Sequence, residues 1–259
     1  MNPAFSSLII SLLLLGGLLF CLEIGFQIGV RRQRDLPGTA HEGVGAMEAA
    51  IFALLGLLLA FAFAGSMSRL DFRRDLIVKE ANAIGTAYLR IDLLPAESQG
   101  PLRHMFREYL DMRLSAYASL PNPEVAEAQF RKSEQMQSQL WAYAVAAARK
   151  DPSQDATRLL LPAINEAIDT TTARLVAAKT HMPRLIFIIL VGVALSSGVF
   201  AGYAMSKRRA RSWLHMLLYS LAVTITTYAV LDLDYPRQGL INLQSADKVM
   251  MDLRDSIKE

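Results

Sequence analysis

Apolar and polar positions occur in blocks along this chain, and the blocks predict helices. Four apolar runs, at residues 7–30, 46–66, 185–205 and 213–231, are each long enough to cross a hydrocarbon core of about 30 Å. Between residues 67 and 182 the apolar residues recur every three or four positions, as is typical of packed helices. No alternating run bounded by turn residues occurs there, so we expect no strands.

The pattern predicts an all-α integral membrane protein with four transmembrane helices and a central extramembrane helical bundle. We expect a first transmembrane hairpin at residues 1–66, the bundle at 67–183, a second hairpin at 184–231 and a C-terminal tail at 232–259. Residues 44–94 contain no proline, which predicts one continuous helix from the second span into the bundle.

Within the bundle, the part of that helix after the span carries a regular packing seam. One residue of the seam is charged, because Arg74 stands where the spacing calls for an apolar side chain. The apolar members of the seam are Leu70, Ile77, Ala81, Ile84, Tyr88 and Ile91.

Small residues four positions apart predict close helix contacts within the membrane. Gly56, Ala60 and Ala64 lie on one face of the second span, and Gly198 and Gly202 form a G-x-x-x-G pair in the third. Small side chains at this spacing let another helix approach closely in lipid.

The composition of the chain is intermediate between that of a soluble protein and that of a protein embedded wholly in lipid. The chain has 259 residues, of which 53% are hydrophobic and 20% charged, with a mean hydropathy of +0.27. This composition is too apolar for a soluble domain and too polar for a chain that lies wholly in lipid, so the bilayer is the first expected partner. The net charge of +3 gives no support for nucleic-acid binding. The single cysteine, Cys21, excludes a disulfide within the chain.

Basic residues in the two short connections between paired spans predict the orientation. The positive-inside rule assigns these connections to the cytoplasm and the central bundle to the outer side. A second basic group at the other end of the second span favours the opposite orientation. The connections contain Arg31, Arg32, Arg34, Lys207, Arg208, Arg209 and Arg211, and the opposing group is Arg69, Arg73, Arg74 and Lys79.

Polar side chains in or beside the spans are the candidates for an ion pathway, because such residues usually face protein or water rather than lipid. Glu23 and Glu48 lie toward the same membrane side, where Arg31 or Arg32 could pair with either. In that alternative the carboxylates are structural and orient the hairpin. The full set of candidates is Glu23, Glu48, Arg74, His215, Tyr219 and Thr226.

Enzymatic motifs are not found in this sequence. It contains no nucleophile elbow, no phosphate-binding loop and no pair of metal ligands on one helix turn. We therefore expect no enzymatic activity, no cofactor and no metal site.

Three stretches resemble a known family: ALLGLLLAFAFAGSMSRLDFRRDLIVKEANAIGTAYLRIDLLP (53–95), LLLPAINEAID (159–169) and LDLDYPRQGLINL (231–243). They are similar to bacterial membrane proteins called bestrophin-like, which carry a domain of unknown function. The resemblance covers nearly the whole chain after Glu42 and implies a multi-pass protein of the bacterial inner (plasma) membrane. Bestrophins are pentameric anion channels with two spans on each side of a helical domain. By this analogy the second span would line a pore and the central domain would lie in the cytoplasm, opposite to the loop-charge prediction.

Two functions remain as hypotheses. The first is an ion channel or permeation pathway formed by a homo-oligomer. The alternative is a membrane-anchored sensor or scaffold whose bundle binds a ligand or a partner protein.

Overall fold

The computed structural model describes residues 3–35, 44–119, 122–208, 211–236 and 239–257 of the chain. Over these ranges the secondary structure is helical and includes no strand, which confirms the predicted all-α class. The α-helices are α1 (Pro3–Asp35), α2 (Val44–Leu89), α3 (Ala96–Ala118), α4 (Pro123–Ala148), α5 (Leu161–Lys179), α6 (Arg184–Met205), α7 (Trp213–Asp234) and α8 (Gln244–Ser256). Short 3-10 segments follow α2 (Arg90–Leu93) and α6 (Ser206–Arg208), and a π-helical segment (Ala156–Leu160) precedes α5.

Four of these helices, α1, α2, α6 and α7, are long and apolar enough to cross a membrane. They correspond to the four predicted spans. The second is one uninterrupted helix of 46 residues, about 69 Å at 1.5 Å per residue, which is more than a bilayer core requires.

The chain divides into two compact units. The first, the transmembrane unit, consists of Met1–Ser68 and His181–Tyr235. The second, the extramembrane unit, consists of Arg69–Thr180 and Pro236–Glu259. Both units include part of α2, because the division falls within that helix.

Leucine, valine and alanine side chains from all four spans fill the interior of the transmembrane unit. The span of α2 contributes Leu55 and Ala62, which lie seven residues apart on one face. The other buried members of this cluster are Leu14, Leu18, Leu190, Ala194, Val223 and Val230.

Glycines on both helices bring α1 and α6 into backbone contact. A Cβ atom added at Gly202 would overlap the carbonyl oxygen of Leu22, and one added at Gly25 would overlap the carbonyl oxygen of Val199. At Gly198 the added atom would lie 3.3 Å from the Cβ of Cys21. Sequence reasoning named only the α6 glycines. The matching pair on α1, Gly25 and Gly29, has the same spacing and was missed.

The predicted contact face of α2 meets no other helix in the described part of this chain. Gly56, Ala60 and Ala64 are all exposed, and no neighbouring heavy atom lies within 4 Å of a Cβ added at Gly56. The reason is rotational, since α2 turns the face with Leu55 and Ala62 toward the interior instead. A contact of the small-residue face with another copy of the chain stays a prediction.

In the extramembrane unit, the predicted seam of α2 lies almost entirely in the core. Leu70, Ile77, Ala81, Ile84 and Ile91 are each at most 3% exposed. Tyr88 and Arg74 are only half-buried. The buried charged residues of α2 are instead Arg73 and Glu80, one position before Arg74 and three positions after Ile77.

The C-terminal segment, expected as a tail, contains a packed helix. α8 buries Ala246 and Met250, and it belongs to the extramembrane unit. α7 also extends three residues past the predicted limit of its apolar run. It does so because Asp234 is buried and its Oδ2 accepts a hydrogen bond of 2.9 Å from the backbone N–H of Met182.

We predict that Gly202→Ala lowers the free energy of unfolding by about 1–3 kcal/mol, because its methyl group forces α1 away from α6. The measurement is the thermal unfolding midpoint of the purified protein in detergent. Gly192→Ala is the matched control on the same helix, since a Cβ there meets nothing within 4 Å. Equal midpoints for the two variants would show that the close approach of α1 and α6 is wrong.

Candidate functional site

Three of the six predicted pathway residues line one cavity in the transmembrane unit. Glu48 of α2, together with His215 and Tyr219 of α7, borders an open cavity of about 610 Å³. Lys207 and Ser212, from the connection between α6 and α7, are the other polar residues of the lining. The cavity therefore gathers a carboxylate, an ammonium group, an imidazole and a phenol from three segments of the chain.

Hydrogen bonds and ring contacts orient the two α7 side chains of this cavity. The Tyr219 hydroxyl shares a hydrogen bond with the Ser197 hydroxyl of α6, and its ring meets Phe52 edge-on at 5.8 Å between centroids. His215 Nδ1 shares a hydrogen bond with the hydroxyl of Ser212. These contacts place Tyr219 between α2 and α6 while the histidine stays exposed.

Glu23, the fourth candidate, forms an ion pair with Arg211. Its Oε1 accepts a hydrogen bond of 2.8 Å from Arg211 and another of 2.9 Å from Gln27. The partner therefore comes from the second basic connection and is not Arg31 or Arg32, which the structural alternative offered. The reason is spatial, because α1 packs against α6 and α7 and so approaches their connection. The pair links the two transmembrane hairpins.

The remaining two candidates do not line this cavity. Thr226 is half-buried on α7 and donates a hydrogen bond of 2.8 Å to the carbonyl of Ala222 in its own helix. Arg74 belongs to the extramembrane unit, where its Nη1 lies 3.4 Å from Asp71 one turn earlier. Both have structural partners on their own helices.

A second charged cluster, which sequence reasoning missed, lies in the core of the extramembrane unit. Glu80 of α2 is 0% exposed, and its two carboxylate oxygens bind two different arginines. Arg113 of α3 donates from Nε to Oε1 at 2.7 Å, and Arg174 of α5 donates from Nη1 to Oε2 at 2.6 Å. Three helices are thus joined at one carboxylate.

The two arginines are themselves held by further side chains. Arg113 donates a hydrogen bond of 2.8 Å to the Tyr117 hydroxyl, and the Arg174 guanidinium lies 3.5 Å from the centroid of the same ring. Arg174 also donates to Asp247 of α8 at 3.0 Å. The cluster therefore contains two positive and two negative groups, and it attaches α8 to the core.

Opposing effects decide the charge state of Glu80. Burial alone would raise the pKa of its carboxyl, but the nearby charges of Arg113 and Arg174 and their hydrogen bonds lower that pKa below its ordinary value of 4.5. Burial would likewise lower the pKa of Arg113, whereas the Glu80 carboxylate raises it overall. Both shifts keep the pair ionised.

The neighbouring hydroxyl groups complete this network. Thr171 of α5 donates to Glu80 Oε1 at 3.2 Å and shares a hydrogen bond of 2.9 Å with the hydroxyl of Tyr109. Gln137 of α4 donates to that hydroxyl at 2.8 Å. Burial raises the pKa of Tyr109, so its hydroxyl stays neutral. All four helices of the predicted bundle, α2 to α5, therefore contribute polar atoms.

One signal in the sequence could have revealed this cluster. Glu80 follows Ile77 by three positions and precedes Ile84 by four, so it occupies an apolar position of the helix. Arg113 and Arg174 stand at equivalent positions, between Leu110 and Ala116 and between Thr171 and Ala177. Charges of opposite sign on buried faces of different helices indicate a buried ion pair.

Comparison with known proteins agrees with this architecture. The bestrophin-like domain family matches residues 13–247. The chain belongs to the bestrophin-like family. Its fold is also similar to the crystal structure of a bacterial bestrophin homolog from Klebsiella pneumoniae that carries a single mutation, with a TM-score of 0.62. The two are 14% identical, and the similarity covers 93% of this chain and 99% of the other. No curated protein matches the sequence.

Membership of the bestrophin-like family confirms the resemblance found from the sequence, and it identifies the chain as a membrane protein. At 14% identity the structural similarity shows the shared fold alone. The roles of Glu48, His215 and Tyr219 consequently depend on this chain's own geometry.

We predict that Glu80→Gln lowers the free energy of unfolding by about 3–5 kcal/mol, because it leaves two buried guanidinium groups without their shared counter-charge. The thermal unfolding midpoint in detergent provides the measurement. Glu127→Gln is the matched control, since Glu127 pairs with Arg131 on the surface of α4, and we expect its midpoint to equal that of the wild type.

The pH dependence of stability tests the same carboxylate. Folding lowers the pKa of Glu80. The carboxylate therefore contributes fully to the free energy of unfolding at pH values above its ordinary pKa of 4.5, and this contribution is lost as the pH falls through the pKa of the folded state. The wild type should therefore lose stability on acidification below that value more steeply than Glu80→Gln. Parallel pH profiles of the two proteins would contradict this assignment.

Proposed function

We propose that this protein forms an ion-permeation pathway as a homo-oligomer in the bacterial inner (plasma) membrane. The family supports the proposal, since bestrophins are oligomeric anion channels with the same order of spans and helical domain. Family resemblance alone does not define an activity, so the proposal depends on features of the chain itself.

The observation that carries the proposal is the cavity bordered by Glu48, Lys207, His215 and Tyr219. Polar and charged side chains within a transmembrane unit are costly unless they face protein or water. Glu48 and Lys207 bring opposite charges to its lining, and these charges would act on any ion that enters. We therefore propose the cavity as the vestibule of the pathway.

The packing of the spans supports a pathway between copies of the chain. Leucine and valine side chains fill the space between the four helices of one copy. The span of α2 is the least covered of the four, with 17% of its apolar window buried. Its exposed face, the α2 small-residue face, consists of Gly56, Ala60 and Ala64. Such a face suits close contact between neighbouring copies.

The side of the membrane on which the extramembrane unit lies stays a prediction. Charges of the short connections favour the outer side, and the analogy with bestrophins favours the cytoplasm. Both assignments are compatible with a permeation pathway.

A sensor or scaffold role is the second candidate. The feature that favours it is α2, which forms a span and also contributes Glu80 to the buried cluster with α3, α5 and α8. A ligand or partner protein that displaced the Asp247–Arg174 contact would therefore act on a cluster that includes α2. Crosslinking in native membranes that recovers only copies of this chain would count against this role.

We predict that the purified protein conducts ions in liposomes and that charge changes in the cavity alter its selectivity. Glu48→Gln should raise the permeability of chloride relative to potassium, and Lys207→Gln should lower it. A unit charge near the pathway changes the local energy of an ion by about 1 kcal/mol, which is about fivefold in concentration. Reversal potentials under a potassium chloride gradient provide the measurement.

Thr226→Val is the control for this experiment, because Thr226 bonds to its own helix and does not line the cavity. Its selectivity should match that of the wild type. Ion flux equal to that of empty liposomes would refute the permeation pathway. Ion conduction whose selectivity neither charge change alters would refute the assignment of the cavity as the vestibule, and it would leave the permeation pathway itself intact.

We further predict that Gly56→Leu disrupts the oligomer, because it places a branched side chain on the α2 small-residue face. Molecular mass in detergent, from light scattering coupled to gel filtration, provides the measurement. Gly16→Leu on α1 is the matched control, since Gly16 is also exposed with nothing within 4 Å of an added Cβ. A wild type that is monomeric, or an oligomer equally stable in Gly56→Leu, would overturn this interface.

A further inference from the structure

A second cavity of the transmembrane unit lies where three spans have their polar ends. It has a volume of about 480 Å³ and is bordered by the beginning of α1, the beginning of α6 and the end of α7. Its apolar wall includes Ile10, Phe187, Ile188 and Leu231. Ile10 and Ile188 are both exposed, so this wall is open to the hydrocarbon side.

The polar wall of this cavity consists of residues that flank the apolar runs, where lipid headgroups are expected. Arg184 immediately precedes the apolar run of α6, and Asp234 and Tyr235 follow the apolar run of α7. Tyrosine and arginine are typical of this boundary between hydrocarbon and water. The cavity therefore continues from an apolar wall to a polar one, as a phospholipid does.

The two charges of the polar wall are fixed differently. Asp234 is 2% exposed, and its Oδ2 accepts a hydrogen bond from the Met182 N–H and lies 3.6 Å from His181 Nδ1. The His181 ring stacks on Tyr235 with centroids 4.3 Å apart, which holds this end of α7 against the start of α6. Arg184 is exposed and makes no ion pair with any other residue that the structure describes. The polar wall thus contains one exposed cation, Arg184, and one buried anion, Asp234, which already has partners within the protein.

These two charges would favour some phospholipid headgroups over others. A phosphate diester matches the planar donor fork of arginine. The phosphate of an anionic lipid such as phosphatidylglycerol would be attracted to Arg184, but its headgroup has no positive charge to offer Asp234. A headgroup with both a phosphate and a primary ammonium brings an opposite charge to each of the two, and unlike choline its N–H groups can donate hydrogen bonds.

We propose that this cavity binds one phospholipid with an ethanolamine headgroup. Its phosphate lies against Arg184, its ammonium faces Asp234 and Tyr235, and an acyl chain follows the apolar wall formed by Ile10, Phe187 and Leu231. The site is separate from the proposed vestibule, which is bordered by other residues of α6 and α7. Neither proposal depends on the other.

Native mass spectrometry of delipidated protein tests this site. The protein is titrated separately with phosphatidylethanolamine, phosphatidylcholine and phosphatidylglycerol that carry the same acyl chains. We expect the ethanolamine lipid to bind most tightly, and Arg184→Gln to weaken its binding about tenfold through loss of one charge-assisted contact. Glycerophosphoethanolamine, which lacks acyl chains, should not displace the lipid.

Arg31→Gln is the matched control, because Arg31 is an exposed arginine near the other end of α1. It should bind the ethanolamine lipid as tightly as the wild type does. The proposal is overturned if Arg184→Gln retains wild-type affinity, or if the glycerol or choline lipid binds as tightly as the ethanolamine lipid. Displacement by glycerophosphoethanolamine would overturn the acyl-chain part and show that the headgroup alone is recognised.

Discussion

Burial of the Glu80 carboxylate is the constraint on which the extramembrane unit depends. An ionised carboxylate without water is tolerated only when it is paired and hydrogen-bonded, and here Arg113 and Arg174 supply both conditions. Replacing a whole buried ion cluster by apolar side chains is often neutral for stability, whereas removing one member is costly. The main effect of the cluster is therefore to determine how α2, α3 and α5 pack, and its net contribution to stability is smaller. Through its ion pair with Arg174, Asp247 fixes the position of α8 in the same way.

The transmembrane unit depends on a different kind of contact. In lipid the burial of apolar surface provides little drive for helix association, so close packing and polar contacts must supply it. Gly25 and Gly202 let the backbones of α1 and α6 touch, which maximises van der Waals contact along the pair. The Glu23–Arg211 ion pair then links the two hairpins. A methyl group added at Gly25 or Gly202 would consequently separate α1 from α6, and loss of the Glu23 or Arg211 charge would weaken the contact between the two hairpins.

The sequence alone was sufficient for the spans and the helical class, because length and apolar composition decide them locally. It was insufficient for the buried charges. The spacing of the seam predicted Arg74 as its charged member, but α2 packs through a broader face on which Arg73 and Glu80 are buried. Whether a charged residue in a helix is interior depends on partners that local spacing does not reveal. Arg174 follows Glu80 by 94 positions, and Arg211 follows Glu23 by 188.

The continuity of α2 connects these two packing regimes. This single helix provides the least covered span and also the carboxylate of the buried cluster. Sliding α2 by one residue relative to α3 and α5 would move Glu80 by about 1.5 Å. A shift of that size along the bonds would lengthen the hydrogen bonds of 2.6 and 2.7 Å to about 4 Å, which breaks them. Within the extramembrane unit the cluster therefore resists any slide of α2 along these bonds that does not carry α3 and α5 with it.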